Sequence, residues 1–211
     1  MSLCTIAFNE LPLMNVLDIA VEFGFDGVEL WGKAPHMPHD SKPHYVEAVR
    51  MALDERSLEL AAYGSYLTAG TDEFDAQMPL VLNIARWLGA QRVRVWAGNI
   101  GSADADESYR KHCVRDFQRL CDVGGEYGIT FAIERHSHTL TDEFESALNL
   151  LEQINRENIG INYQRGHGAT TEAVVHEIEA FGRRIINVHC HNVRRTESGE
   201  VAWDLHSGEI D

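Results

Sequence analysis

The feature that most constrains this chain is an alternation. Short runs rich in apolar and β-preferring residues follow one another through the sequence, separated by segments of helical period. Strands are expected over 3–8, 27–32, 60–66, 91–97, 129–133, 159–164 and 185–191. Helices are expected over 13–23, around Val46, Val49 and Leu53, and over 78–88, 108–124, 144–154 and 171–181. Strands joined by helical crossovers pair in parallel, and a parallel sheet is covered by helices. A doubly wound open sheet and a (β/α) barrel both satisfy this pattern. No glycine-rich phosphate loop follows the first or second strand, so the expected fold class is α/β, a TIM barrel.

Composition narrows the function classes. With 211 residues, 44% of them apolar, the chain can bury one substantial core, and a single domain over 1–211 is expected. A net charge of −15 repels phosphate backbones and anionic lipid, which argues against nucleic acid and membrane partners. No 18-residue apolar run occurs and no basic segment precedes an apolar one at the start, so neither a span nor a signal peptide is read and a cytoplasmic location is expected. Cys4, Cys113, Cys121 and Cys190 lack C-x-x-C spacing and read as reduced thiols. His36, His39 and His44 share an irregular loop with two prolines, which reads as solvated rather than as a metal cluster.

The chemistry concentrates at strand ends, where α/β proteins place their sites. In residues 129–142, ITFAIERHSHTLTD, alternation along an extended strand puts Glu134 and His136 on one side and Arg135 on the other. Asp142 and Glu145 have capping-box spacing for the helix that follows. Glu29 and Trp31 share a face, as do Arg94 and Trp96. A buried Arg94 needs an anion, which could be Glu29, Glu134, or a substrate carboxylate or phosphate. His189 and His191 lie together at the end of the seventh strand.

Three features carry a family likeness: Glu134 after strand five, an I-N-x-x-x-x-H run ending at His167, and V-H-C-H at strand seven. Together they resemble the xylose-isomerase-like family of TIM barrels, which includes sugar isomerases, epimerases, dehydratases and endonuclease IV. Longer matches are similar to the bacterial 3-dehydroshikimate dehydratases: S-L-C-T-I-x-F from Ser2 to Phe8, G-F-D-G-V-E-L-W-G from Gly24 to Gly32, A-G-x-x-G-S-A-D from Ala97 to Asp104, and E-x-H-x-x-T-L-T-D from Glu134 to Asp142. The resemblance implies one divalent metal, Mn²⁺ or Mg²⁺ with Zn²⁺ or Co²⁺ as alternatives, held by Glu134, His189 and Gln164. Gln164 stands where the family carries Asp. The family's fourth ligand, a Glu on strand eight, matches nothing before the sequence stops at Asp211. The expectation is therefore an incomplete barrel of seven βα units, C-terminally short, either a fragment or a barrel that a neighbouring subunit closes.

The same resemblance implies a metal-dependent lyase that dehydrates 3-dehydroshikimate or a similar hydroxyketone by α-proton abstraction and β-elimination. His136 is the expected base beside Glu134, and Arg94, Tyr66, His167, Glu29 and Trp31 the expected substrate contacts. A sugar or sugar-phosphate isomerase or epimerase working through an enediolate is the first alternative. A catalytically silent barrel that only binds is the second. Endonuclease activity is disfavoured by the acidic charge, and by Tyr63 to Tyr66 and Trp96 where metal-binding histidines would stand.

Overall fold

This computed structural model describes residues 1–166 and 169–190, and the backbone of two short strands at 193–195 and 201–203. Seven strands form one parallel sheet in sequence order: β1 (Ser2–Cys4), β2 (Gly27–Trp31), β3 (Glu59–Thr68), β4 (Arg92–Trp96), β5 (Thr130–Glu134), β6 (Ile159–Tyr163) and β7 (Ile185–Val188). The intervening helices are α1 (Leu13–Glu22), α2 (Pro43–Glu55), α3 (Phe74–Leu88), α4 (Glu107–Gly125), α5 (Phe144–Ile154) and α6 (Thr171–Phe181). Beyond them β8 (Val193–Arg195) and β9 (Val201–Trp203) pair as a separate antiparallel hairpin.

Side-chain contacts show that the sheet curls. A flat sheet would place β2 and β7 about 24 Å apart, five intervals of roughly 4.8 Å. Instead Asn187 of β7 donates to the Glu29 carboxylate of β2 at 3.2 Å. The strands therefore wrap around a lumen into which alternate side chains point. Glu29, Arg94 and Glu134 meet there, while Val28, Leu30, Val93, Val95, Phe131 and Ile133 pack into the core beneath the helices. That core is tight: a Cβ on Gly124 of α4 would lie 2.4 Å from the Phe131 ring. Helices α1 to α5 each contribute an apolar stripe, such as Leu13, Val16, Leu17 and Ala20 on α1.

The structure differs from the sequence reading where tertiary contacts outweigh local pattern. The first strand ends at Cys4, and Thr5–Phe8 forms a 3₁₀ turn. The Thr5 hydroxyl accepts from the Trp31 N–H and donates to His36 Nδ1, both at 2.9 Å, while His36 Nε2–H donates to the Leu11 carbonyl at 3.0 Å. His36 is thus a buried strut rather than part of a solvated loop. Burial, which disfavours the imidazolium, lowers its pKa. Helix α3 begins at Phe74, ahead of the expected start, and runs through Pro79 because burial of the Phe74 ring anchors the extra turn. The expected capping box at α5 is absent. Asp142 instead accepts from the Ser102 backbone N–H at 3.1 Å and from that of Glu143 at 2.9 Å, tying the loop after β4 to the loop after β5.

Candidate active site

The centre of the lumen is an ion cluster built from β2, β4 and β5 and from the residue that follows β7. Arg94, only 2% exposed, lies between two carboxylates: its Nε donates to Glu29 Oε1 at 2.6 Å, and its Nη1 donates to Glu134 Oε2. Trp96, two residues on and hence on the same face, donates from Nε1 to the same Glu134 oxygen at 2.6 Å. His189 follows β7 directly, held by its backbone N–H on the Tyr163 carbonyl at 2.8 Å. Its Nε2 lies 2.9 Å from Glu29 Oε2 and its Nδ1 3.5 Å from Glu134 Oε1.

This arrangement fixes the charges. Burial pushes the Glu29 carboxyl up, but His189 and Arg94 outweigh it and hold the pKa at about 2. The same partners and Trp96 overcome the burial of Glu134, whose pKa is also lowered. For His189, burial favours the neutral ring, and the hydrogen bonds to Glu134 and Glu29 reverse that and raise the pKa to about 9. In the absence of a metal, the ring is an imidazolium bridging two carboxylates.

Around this cluster lies an aromatic wall. Strand β3 shifts register between Gly64 and Leu67, and the bulge leaves Tyr66 in the left-handed region at φ 59°. Ser65 secures it, donating its hydroxyl to the Arg94 carbonyl at 2.8 Å. Tyr66 accepts from Trp31 Nε1 at 3.2 Å, and its ring lies under the Arg94 guanidinium at 4.8 Å and under Lys33 Nζ at 4.4 Å. Tyr66 also packs against Trp96, on which His136 stacks at 4.4 Å between centroids. Strand β5 stops at Glu134, so His136 reaches the site through this stacking rather than by strand alternation. Its Nδ1 is 2.9 Å from the Ser137 carbonyl, which can only accept; in the neutral ring Nδ1 carries the proton and Nε2 the lone pair.

A cleft of about 540 Å³ opens beside Glu134 and His136, with His138, Gln164 and Arg165 also in its lining. Gln164 gives its amide nitrogen to the Arg135 carbonyl, which leaves the amide oxygen for a ligand. Of the expected site residues, Glu29, Trp31, Tyr66, Arg94, Glu134, His136, Gln164 and His189 all lie in or beside the lumen and cleft. His167 lies outside the described residues, as do His191 and Asp211. Reasoning from sequence missed Asn162, Asn187 and Cys4. The structure makes Asn162 the register partner of Glu134 on β5, but in the sequence an asparagine inside an apolar run reads as filler. In the structure its amide is fully buried and has no partner among the described residues at either end, a cost that a water or ligand would relieve.

The donor set can hold a divalent ion. Glu134 keeps Oε1 clear of Arg94, His189 Nδ1 lies 3.5 Å from it, and Gln164 offers a neutral oxygen in the same cleft. Replacing carboxylate by amide removes one negative charge, and the Arg94 cation cancels another, so the site attracts a hard cation weakly.

A sequence model described as "Xylose isomerase-like TIM barrel" matches residues 17–209. The chain belongs to this family. A 3-dehydroshikimate dehydratase from Bacillus anthracis is 28% identical over 167 residues, which cover 76% of this chain and 60% of that protein. Among solved structures, the probable 3-DHS dehydratase AsbF involved in petrobactin synthesis in Bacillus anthracis superimposes with a TM-score of 0.76 at 27% identity, covering 91% of this chain and 73% of that one. A xylose isomerase-like TIM barrel protein from Mycobacterium smegmatis, solved in complex with magnesium, gives a TM-score of 0.74 at 14% identity, over 96% of this chain and 79% of that one, and shares the fold. The family's barrel accounts for the curled sheet and for the lumen between β2 and β7.

Proposed function

We propose that this chain is a metal-dependent lyase that dehydrates 3-dehydroshikimate or a closely similar hydroxyketone. The observation that carries the reading is His136: an imidazole stacked on Trp96, with its tautomer fixed so that Nε2 bears the lone pair, beside the buried Glu134. Such a group suits removal of an acidic α-proton near neutral pH. A divalent ion held by Glu134, Gln164 and His189 would supply Lewis-acid polarisation of the substrate ketone.

The residues divide the remaining work. His136 takes the α-proton as the C–H bond breaks, and the electron pair is held by the ketone oxygen. The β C–O bond then breaks, and the hydroxyl leaves as water on receiving the proton that His136 took. Tautomerisation of the ring gives an aromatic catechol acid, so substrate and product differ by one water. Tyr66, Trp31 and Trp96 provide a flat apolar wall for the ring. Arg94, neutralised by two carboxylates, faces the substrate as a hydrogen-bonding group more than as a net charge.

The test is 3-dehydroshikimate turnover by the Mn²⁺-loaded chain, followed by ultraviolet absorbance of the aromatic product. The expected result is turnover that falls about 10²–10⁴-fold in His136→Asn with metal affinity unchanged. The Gln164→Asp variant should bind Mn²⁺ more tightly by restoring a carboxylate. Interconversion of ketoses without loss of water would favour an isomerase instead. No reaction with either class in metal-loaded protein would leave the silent barrel.

A further inference from the structure

His189 presents two different ring nitrogens to two different sets of donors. Nδ1 faces Glu134, whereas Nε2 faces Glu29 at 2.9 Å. Beside Glu29 stands Cys4, the last residue of β1 and the register partner of Glu29. One donor atom from each of Cys4, Glu29 and His189 lies within 4.8 Å of the other two, the only such metal-competent group of histidine, cysteine and acidic side chains among the described residues. Asn187 donates to Glu29 Oε2 at 3.2 Å and orients that oxygen, while Arg94 engages the other one, Oε1.

We infer that Cys4, Glu29 and His189 form a second, softer cation site, selective for Zn²⁺ or Co²⁺, that competes with the Glu134 side of the lumen for the shared imidazole. The chemistry of the donors supports this. One thiolate, one imidazole and one carboxylate match the preference of Zn²⁺ and Co²⁺ for sulfur and nitrogen, with a position left for water or substrate. The thiolate brings a negative charge of its own beside the Glu29 carboxylate, whose charge Arg94 partly offsets. Mn²⁺ and Mg²⁺ gain little from sulfur and should remain with Glu134 and the Gln164 oxygen. The identity of the metal supplied would thus decide which side of His189 is occupied, and zinc would hold the chain in an arrangement that excludes the harder ion.

The experiment is a Co²⁺ titration of the full chain, reduced and metal-free, read by absorbance. Occupancy of the site produces a near-ultraviolet thiolate-to-cobalt charge-transfer band that saturates at one equivalent, is lost in Cys4→Ser and persists in Cys190→Ser. The second variant is needed because Cys190 adjoins His189 in sequence and is exposed. Zn²⁺ affinity, measured by competition with a chromophoric chelator, should fall about 10–100-fold in Cys4→Ser, while Mn²⁺ affinity stays unchanged. Circular dichroism of Cys4→Ser checks that the fold is intact. Co²⁺ binding without a charge-transfer band, absence of Co²⁺ binding, or a band removed by Cys190→Ser and retained by Cys4→Ser would each overturn the assignment. None of these readouts depends on turnover, so the dehydratase reading can fail while this site stands, and the reverse.

Discussion

Arg94 shows at the level of one residue how this lumen is held together. Two carboxylates buried within reach of one guanidinium are stable only while all three are present, because each ion left alone carries its desolvation cost. Arg94→Ala should therefore destabilise the chain by about 3–5 kcal/mol, read as a lower urea midpoint. His189 adds a dependence on pH in metal-free protein. Its pKa is raised from 6.5 to about 9, so its contribution is complete below 6.5 and is lost as pH rises through 9. For Glu29 the pKa is lowered from 4.5 to about 2, so its contribution is complete above 4.5 and is lost as pH falls through 2. Both are fully present only between 4.5 and 6.5. Thermal melting in the presence of a chelator should show stability falling from pH 6.5 to 9, a fall that His189→Asn largely removes. A melting temperature that is flat over that range would count against the bridged imidazolium.

At the level of elements, the bulge in β3 aims the aromatic wall, and Gly64 permits it. A Cβ at Gly64 would stand 2.6 Å from Arg94 Nη2 and 3.0 Å from Glu29 Oε1, so Gly64→Ala must push the guanidinium off its partners. The expected cost is about 1–3 kcal/mol in denaturant unfolding, with Tyr66 and Trp96 fluorescence altered in the folded state. An alanine accommodated without loss would mean that the cluster is looser than its packing indicates. This element also marks how far the sequence could be read. The period-2 alternation that joins Glu29 to Trp31 and Arg94 to Trp96 is local, and it survived into the structure. So did the parallel strand order, because helical crossovers impose it. The bulge was not legible: a register shift is set by the neighbouring strand and by Ser65 reaching the Arg94 carbonyl, neither of which leaves a pattern in residues 59–68. Glu29 and Glu134 were each legible as a partner for Arg94, but that it pairs with both, and that His36 is buried, depends on residues brought together only by the curl of the sheet or by the 3₁₀ turn after β1.

For the molecule as a whole, the described sheet has two edge strands, β1 and β7. Val188 on β7 is 52% exposed, and α6, the helix that precedes β7 in the chain, exposes Val175 and Ile178 and buries only Phe181. An edge strand flanked by an apolar helix face favours pairing with another surface, and the prediction is that a second copy of the chain supplies it. Sedimentation should then show mass rising with concentration, and the double variant Val175→Lys, Ile178→Glu should weaken association at least about tenfold, or ~1.4 kcal/mol. Salt separates the causes. Copies that each carry −15 repel one another, and raising ionic strength from about 0.01 to 0.15 M shortens the screening length from about 30 to 8 Å. Association through the apolar face should therefore tighten as salt is added, whereas association through ion pairs would loosen. A chain that remains monomeric at every concentration and salt level would show that this face is already covered within the chain itself.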